Sequence, residues 1–196
     1  MKKLSMPLLL STLCAICLLP VSALAHTGVG QSTGFGAGFI HPAGGADHLL
    51  AMIAVGLWAA QMGRRATWAV PGAFVTMMVA GSVLGMSGVH VPFIEAGILV
   101  SVLVLGVLIA GAFKLPLAVS GTLVGIFAVF HGHAHGTEIL IASDAVSYCA
   151  GFVLATASLH AVGILAGTGL RKLNIEKFTR LAGCAIALSG IYLAAP

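Results

Sequence analysis

The chain has 196 residues, of which 59% are hydrophobic and only 7% charged, with a formal net charge of +4 and a mean hydropathy of +1.11. A soluble domain carries about a quarter charged residues, so this chain can neither cover a globular surface with polar groups nor remain disordered. Its length suits one compact helical domain in lipid, and it contains no Walker A loop, which excludes ATP hydrolysis by this chain alone.

Residues 1–25 read as a signal peptide. "MKK" is a basic n-region, Leu8 to Leu19 an apolar core, and Ala23-Leu24-Ala25 an A-x-A cleavage site before His26. The apolar core is short for a span, which favours cleavage over a retained first helix. Lys2, Lys3, Cys14 and Cys17 then leave with the peptide, and residues 26–196 form the mature domain. Cys149 and Cys184 remain, each inside an apolar segment and outside any C-x-x-C motif, so both read as buried apolar side chains.

Six apolar segments follow, roughly Asp47–Gln61, Thr67–Met86, Phe93–Ala112, Leu115–Phe130, Ala145–Gly167 and Phe178–Ala195. Most approach the ~20 residues that carry a helix across a bilayer. The first is short unless Gly34–Ile40 extends it, and Pro42 with Gly44 and Gly45 interrupts that join. A first helix broken near Pro42 is therefore expected, a backbone state tolerated at membrane depth where protein or a water-filled cavity surrounds it. The fold class expected is an all-α membrane protein, a bundle of six transmembrane helices. Gly81 with Gly85, Gly121 with Gly125, and Gly163 with Gly167 form small-xxx-small faces through which helices approach closely.

Arg64, Arg65, Lys114, Arg171, Lys172, Lys177 and Arg180 all fall on one side of a six-span chain, which the positive-inside rule makes cytoplasmic. Signal cleavage separately places the mature N-terminus outside, and six spans return the C-terminus there. The acids are distributed the other way. Asp47, Glu95, Glu138 and Asp144 lie near outer ends of spans, and only Glu176 lies inside. Unpaired carboxylates beside hydrocarbon are costly, so these groups need water, headgroups or a cation. Asp144 is expected to cap the helix that starts at Ala145; Glu95 is either a solvated helix start or a site residue.

Seven of the eight histidines share the outer half: His26, His41, His48, His90, His131, His133 and His135. "HPAGGADHLLAM" holds His41, Asp47 and His48, and "FHGHAHGTE" holds His131, His133, His135 and Glu138. If the fourth segment continues as a helix, His131, His135 and Glu138 stand at i, i+4 and i+7 on one face, and His133 points elsewhere. Imidazoles and carboxylates without a basic partner suit a divalent Ni, Zn, Co, Cu or Fe ion. The two stretches are expected to share one outer metal site. His90 reads as a loop residue, His26 as either a chelating or a solvated terminus, and His160 as a packed, hydrogen-bonded side chain.

These two stretches closely resemble the paired motifs of the HupE/UreJ family, small bacterial membrane proteins associated with hydrogenase and urease systems and regarded as nickel or cobalt permeases. The resemblance covers the whole chain, from signal peptide to sixth span. It implies a non-enzymatic permease of the inner membrane, without a prosthetic group, that takes up nickel for hydrogenase or urease maturation. It also implies metal-handling roles for His41, Asp47, His48, His131, His133, His135 and Glu138.

Two classes of function fit the residues alone. A permease collects a divalent ion outside and passes it inward. An intramembrane zinc hydrolase holds Zn through the same ligands and uses Glu138 as general base. The inner half offers Thr76, Ser101, Ser120, Thr122, Thr156, Ser158 and His160, a thin lining that suits a weak relay better than a second tight site. The resemblance favours the permease, with Ni, Co or Zn as cargo and no nucleic acid as partner.

Overall fold

The structure is a computed structural model describing residues 34–139 and 144–195. The signal peptide expected at 1–25 and His26 lie outside the described residues. Seven α-helices and one 3-10 turn make up the described chain: α1 (Phe35–Ile40), the turn His41–Ala43, α2 (Ala46–Met62), α3 (Ala66–Met86), α4 (Ile94–Ala110), α5 (Leu117–Ile139), α6 (Ala145–Lys172) and α7 (Lys177–Leu193). Helices α3, α5 and α6 are long and apolar enough to cross a membrane, and α1 with α2 makes a fourth candidate span bent by 85°. Helix α4 is a shorter apolar helix. Large apolar side chains such as Leu165, Leu188 and Val146 face outward, as expected of a membrane protein whose solvent is lipid.

The bend follows from local chemistry. Pro42 lacks an N–H and occupies the first turn of the 3-10 segment, where that donor is not needed. The Gly44 N–H closes the turn on the His41 carbonyl at 2.9 Å, and Gly45 then adopts an extended conformation from which α2 starts. Helix α1 is held against the start of α6 by glycines. A Cβ on Gly38 would collide with the Tyr148 carbonyl, and one on Gly151 with the Phe35 carbonyl.

Glycine contacts also set the main helix pairs. Gly81 and Gly85 of α3 lie on the backbone of Val129 and His133 in α5, while Gly132 and Gly136 of α5 lie on Met78 and Ser82 in α3. Gly56 of α2 and Gly163 of α6 face each other's backbones, and Gly106 and Gly183 bring α4 and α7 together. The α5 face of Gly121 and Gly125 is looser. A Cβ added at Gly121 or Gly125 would stand 3.8 Å from the Ala73 or 3.1 Å from the Met77 side chain, and the tighter α5 pair is Gly132 with Gly136, inside the histidine stretch.

The basic residues stabilise the end of the bundle opposite the histidines. Arg171 Nη1 donates to the Ala60 carbonyl at 2.9 Å near the end of α2, and Arg180 Nε donates to the Ala110 carbonyl at 2.8 Å at the end of α4. A guanidinium there satisfies an orphan carbonyl and faces the negative end of the helix dipole.

Several expectations need adjustment. The fourth segment does not end at Phe130; its helix runs on through every histidine to Ile139. A helix satisfies its own backbone groups, and Gly132 and Gly136 let this polar extension pack against α3. The cysteines are not buried: Cys149 is half-buried and Cys184 exposed, because an outward-facing position needs only to be apolar where lipid is the solvent. Asp144 does cap α6, accepting the Ser147 N–H at 3.1 Å. Glu95 is exposed in the first turn of α4, and His90 is exposed in the preceding loop.

Close packing rather than composition should therefore limit stability. Gly163→Val drives a side chain into the Ile53 carbonyl and should destabilise the fold by about 1–3 kcal/mol or more. Gly72→Ala, on α3 with open space around it, should be neutral or stabilising by up to ~1 kcal/mol through helix propensity. Thermal unfolding in detergent, followed by circular dichroism, should separate the two variants; equal midpoints would contradict a close-packed α2–α6 seam.

Candidate metal centre

Three elements converge at the end of the bundle away from the arginines. The 3-10 turn supplies His41, the first turn of α2 supplies Asp47 and His48, and the last three turns of α5 supply His131, His135 and Glu138. Helix α6 closes the side with Tyr148 and Phe152, which lie 5.7 and 6.3 Å from the His41 ring between centroids. The bend at Pro42 is what allows His41 and His48 to face the same helix. The rings stand in series: His41 to His135 at 4.6 Å, His135 to His48 at 4.5 Å, and His48 to His131 at 4.7 Å.

The outermost group is His41, His135 and Glu138. One ligand atom from each lies within 4.8 Å of the other two. Glu138 Oε2 is 3.0 Å from His41 Nε2 and 3.5 Å from His135 Nδ1. Yet Glu138 Oε2 and both His135 nitrogens have no aligned hydrogen-bond partner. The three ligand atoms thus lie close together without being satisfied by one another, which an ion held by all three would change.

Deeper in, the hydrogen bonds define which nitrogens are free. Asp47 Oδ1 accepts the backbone N–H of His48 at 2.7 Å and lies 2.8 Å from His48 Nδ1. A carboxylate accepts only, so Nδ1 carries the proton and Nε2 presents its lone pair, buried and unpartnered. This is the arrangement in which a carboxylate orients a metal-binding imidazole. Gly45 leaves room for it, since a Cβ there would stand 2.7 Å from Asp47 Oδ1. Ser101 does for His131 what Asp47 does for His48. The Ser101 hydroxyl donates to the Ile98 carbonyl at 2.6 Å, so its oxygen accepts from His131 Nε2–H at 2.9 Å. His131 Nδ1 is left bare.

His133 takes no part in this. It stands off the shared face, and its Nε2–H donates to the Val89 carbonyl at 2.7 Å. It ties α5 to the loop between α3 and α4. The structure thus brings together six of the seven residues singled out in the sequence and sets His133 to one side. Sequence reading assigned Ser101 to the inner lining and so missed its support of His131; a single hydroxyl in an apolar run carries no spacing signal. His160 is packed as expected but not hydrogen-bonded: it is buried against Phe74, and both ring nitrogens lack partners.

Eight buried side-chain nitrogen or oxygen atoms lack a hydrogen-bond partner among the described residues, and seven of them belong to His48, His131, His135, Glu138 and His160. Each such orphan costs about 1–3 kcal/mol, and folded proteins tolerate few. No lysine or arginine of the described chain belongs to this end, so the lone pairs and carboxylates have no protein cation to face. A divalent ion bound by imidazole nitrogen and carboxylate oxygen satisfies several of them at once.

Residues 14–193 match the sequence model of the family described as HupE / UreJ protein. Protein HupE of Rhizobium leguminosarum bv. viciae is 45% identical over 188 residues, covering 94% of this chain and 96% of that protein. No solved structure matches the chain. Together with the two histidine stretches, a match of this extent and identity shows that the chain belongs to the HupE/UreJ family.

Proposed function

We propose that this protein is a secondary permease that takes up a divalent transition metal, nickel first, across the bacterial inner membrane for hydrogenase or urease maturation. The observation that carries this reading is the cluster of bare, buried donor atoms on His48, His131, His135 and Glu138, with His41 3.0 Å from Glu138, gathered where no lysine or arginine of the described residues can neutralise them. Mixed imidazole and carboxylate donors suit Ni, Co and Zn alike; the family relationship supports nickel among them. The absence of a phosphate loop in the sequence supports transport driven by ion gradients or by consumption inside the cell. The hydrolase alternative gains nothing from this geometry, because Glu138 faces His41 and His135 as a ligand would.

In this reading all six long helices cross the membrane, the histidine end faces the periplasm and the arginine end the cytoplasm. Both mature termini are then periplasmic. Reporter fusions at Arg65, Lys114 and Lys172 should report cytoplasm, and fusions at Val89, Asp144 and Ala195 periplasm. A cytoplasmic signal at Ala195 would rule out six spans after cleavage.

Radiolabelled nickel uptake, measured as an initial rate in cells lacking other nickel importers, tests the activity. Cells expressing the chain should accumulate nickel above the empty-vector control, and cobalt or zinc in excess should compete according to their fit. No accumulation of nickel, cobalt or zinc would end the permease reading.

The ligand geometry makes graded predictions for metal binding by the purified protein, followed by isothermal titration. Asp47→Asn should weaken affinity about 10–100-fold, the usual effect of losing a carboxylate that orients a ligand histidine. Adding His48→Ala to Asp47→Asn should cost less than the sum of the two, because Asp47 acts through His48. His135→Ala should weaken binding more than Asp47→Asn. His133→Ala should leave affinity near wild type and lower thermal stability instead, since it removes the bond to Val89. A loss of affinity in His133→Ala equal to that in His135→Ala would show that this assignment of faces is wrong.

A further inference from the structure

His160 is the buried histidine that the outer cluster does not use. It sits on α6, eight residues beyond Phe152, whose ring lies 4.2 Å from that of His135. At 1.5 Å per residue this places it about 12 Å further toward the arginine end. Its side chain is 1% exposed, and neither ring nitrogen has a partner. An imidazole always carries at least one N–H donor and, when neutral, one lone pair, so this ring leaves both unanswered within the bundle.

The ring is nonetheless connected to the outer cluster. Phe74 of α3 lies 5.7 Å from His131 on one side and 5.1 Å from His160 on the other, between ring centroids. The series His41, His135, His48, His131 therefore continues through one phenyl ring to His160. Of the seven polar residues expected to line the inner half, Thr76 and Ser158 face outward and bond their own helix carbonyls, and Thr122 is also exposed. Ser101 belongs to His131. Thr156, one turn from His160, is fully buried with its hydroxyl 3.6 Å from the Met78 sulfur. His160 is the strongest donor left beyond the cluster.

We propose that His160 is a second, inner metal ligand, a one-imidazole relay that receives the divalent cation from His131 past Phe74. The proposal rests on the uptake reading above and adds the inward step to it. A single imidazole suits this place. A pathway must bind well enough to draw the ion in and weakly enough to let it go, and a single histidine holds a divalent ion far less tightly than the outer set. The Phe74 side chain carries no lone-pair donor, so the ion does not rest between the two sites.

The test uses the full-length protein in proteoliposomes. His160→Leu fills the space with an apolar side chain and removes both orphan nitrogens, so its thermal midpoint should equal or exceed wild type. Its maximal nickel uptake should fall about tenfold or more while KM changes little, because capture at the outer site is intact. His160→Cys restores a donor. In a background lacking all four cysteines, Cys14, Cys17, Cys149 and Cys184, cobalt bound there should give a thiolate-to-metal charge-transfer band that is absent from the same background carrying His160 or Leu at this position. That band reports metal at position 160 directly, and a packing role would not produce it. Wild-type uptake rates in a folded His160→Leu protein, or no charge-transfer band at saturating cobalt, would overturn the inner site and leave the uptake reading standing. Absence of uptake of any divalent metal by the wild type would overturn both.

Discussion

Two carboxylates and a run of imidazoles are held inside an apolar helix bundle at the end opposite its lysines and arginines. Everything else in the structure bears on that imbalance. Without an external cation, Glu138 Oε2 and the bare nitrogens of His48, His131 and His135 are buried polar atoms without an aligned hydrogen bond. With one, the same atoms become a coordination set. The apolar surroundings sharpen the effect, since a charge uncompensated in low dielectric is worth far more than one in water. In the proposed function this end attracts a divalent ion, while Arg171 and Arg180 at the other end cap helix carbonyls.

Backbone geometry makes the cluster possible. A straight first helix would carry His41 well past His48, about 10 Å along the axis for seven residues at 1.5 Å each. The 85° bend folds that distance away, so that His41 and His48 both meet His135. Pro42 makes the bend, Gly45 clears space for the Asp47–His48 pair, and Gly38 with Gly151 clamps the bent segment to α6. On the other wall, Gly132 and Gly136, which follow His131 and His135, seat α5 on α3. The glycines of "FHGHAHGTE" thus place the helix, and its histidines face away from them into the site or, for His133, to a loop.

Within the site, donors divide into those that can hold an ion and those that aim another group. His41, His135 and Glu138 converge directly. Asp47 and Ser101 each take an N–H from a histidine and so turn the opposite nitrogen inward. This division explains how a site can contain as many polar groups as it does and still present mostly lone pairs. It also orders the consequences of mutation, with ligands first, aiming groups next and His133 apart from both.

The sequence by itself determined the class of the protein and which histidines and acids share one helix face. A charged fraction of 7% leaves only lipid as a solvent, and the six apolar runs correspond to the six long helices. The 3.6-residue period placed His131, His135 and Glu138 on one face and His133 off it, because helical phase is a local property. Helix ends were less legible. Helix α5 runs nine residues past the apolar stretch, to Ile139, since its polar extension is sheltered by helices distant in the chain. Tertiary structure alone decided that Asp47 aims His48, that Ser101 supports His131 rather than lining an inner path, and that His160 is left with two bare nitrogens beside Phe74. These facts depend on which residues of α3, α4 and α6 arrive beside a given imidazole. Glycine contacts between helices far apart in sequence set that arrival, and no spacing along one segment records it.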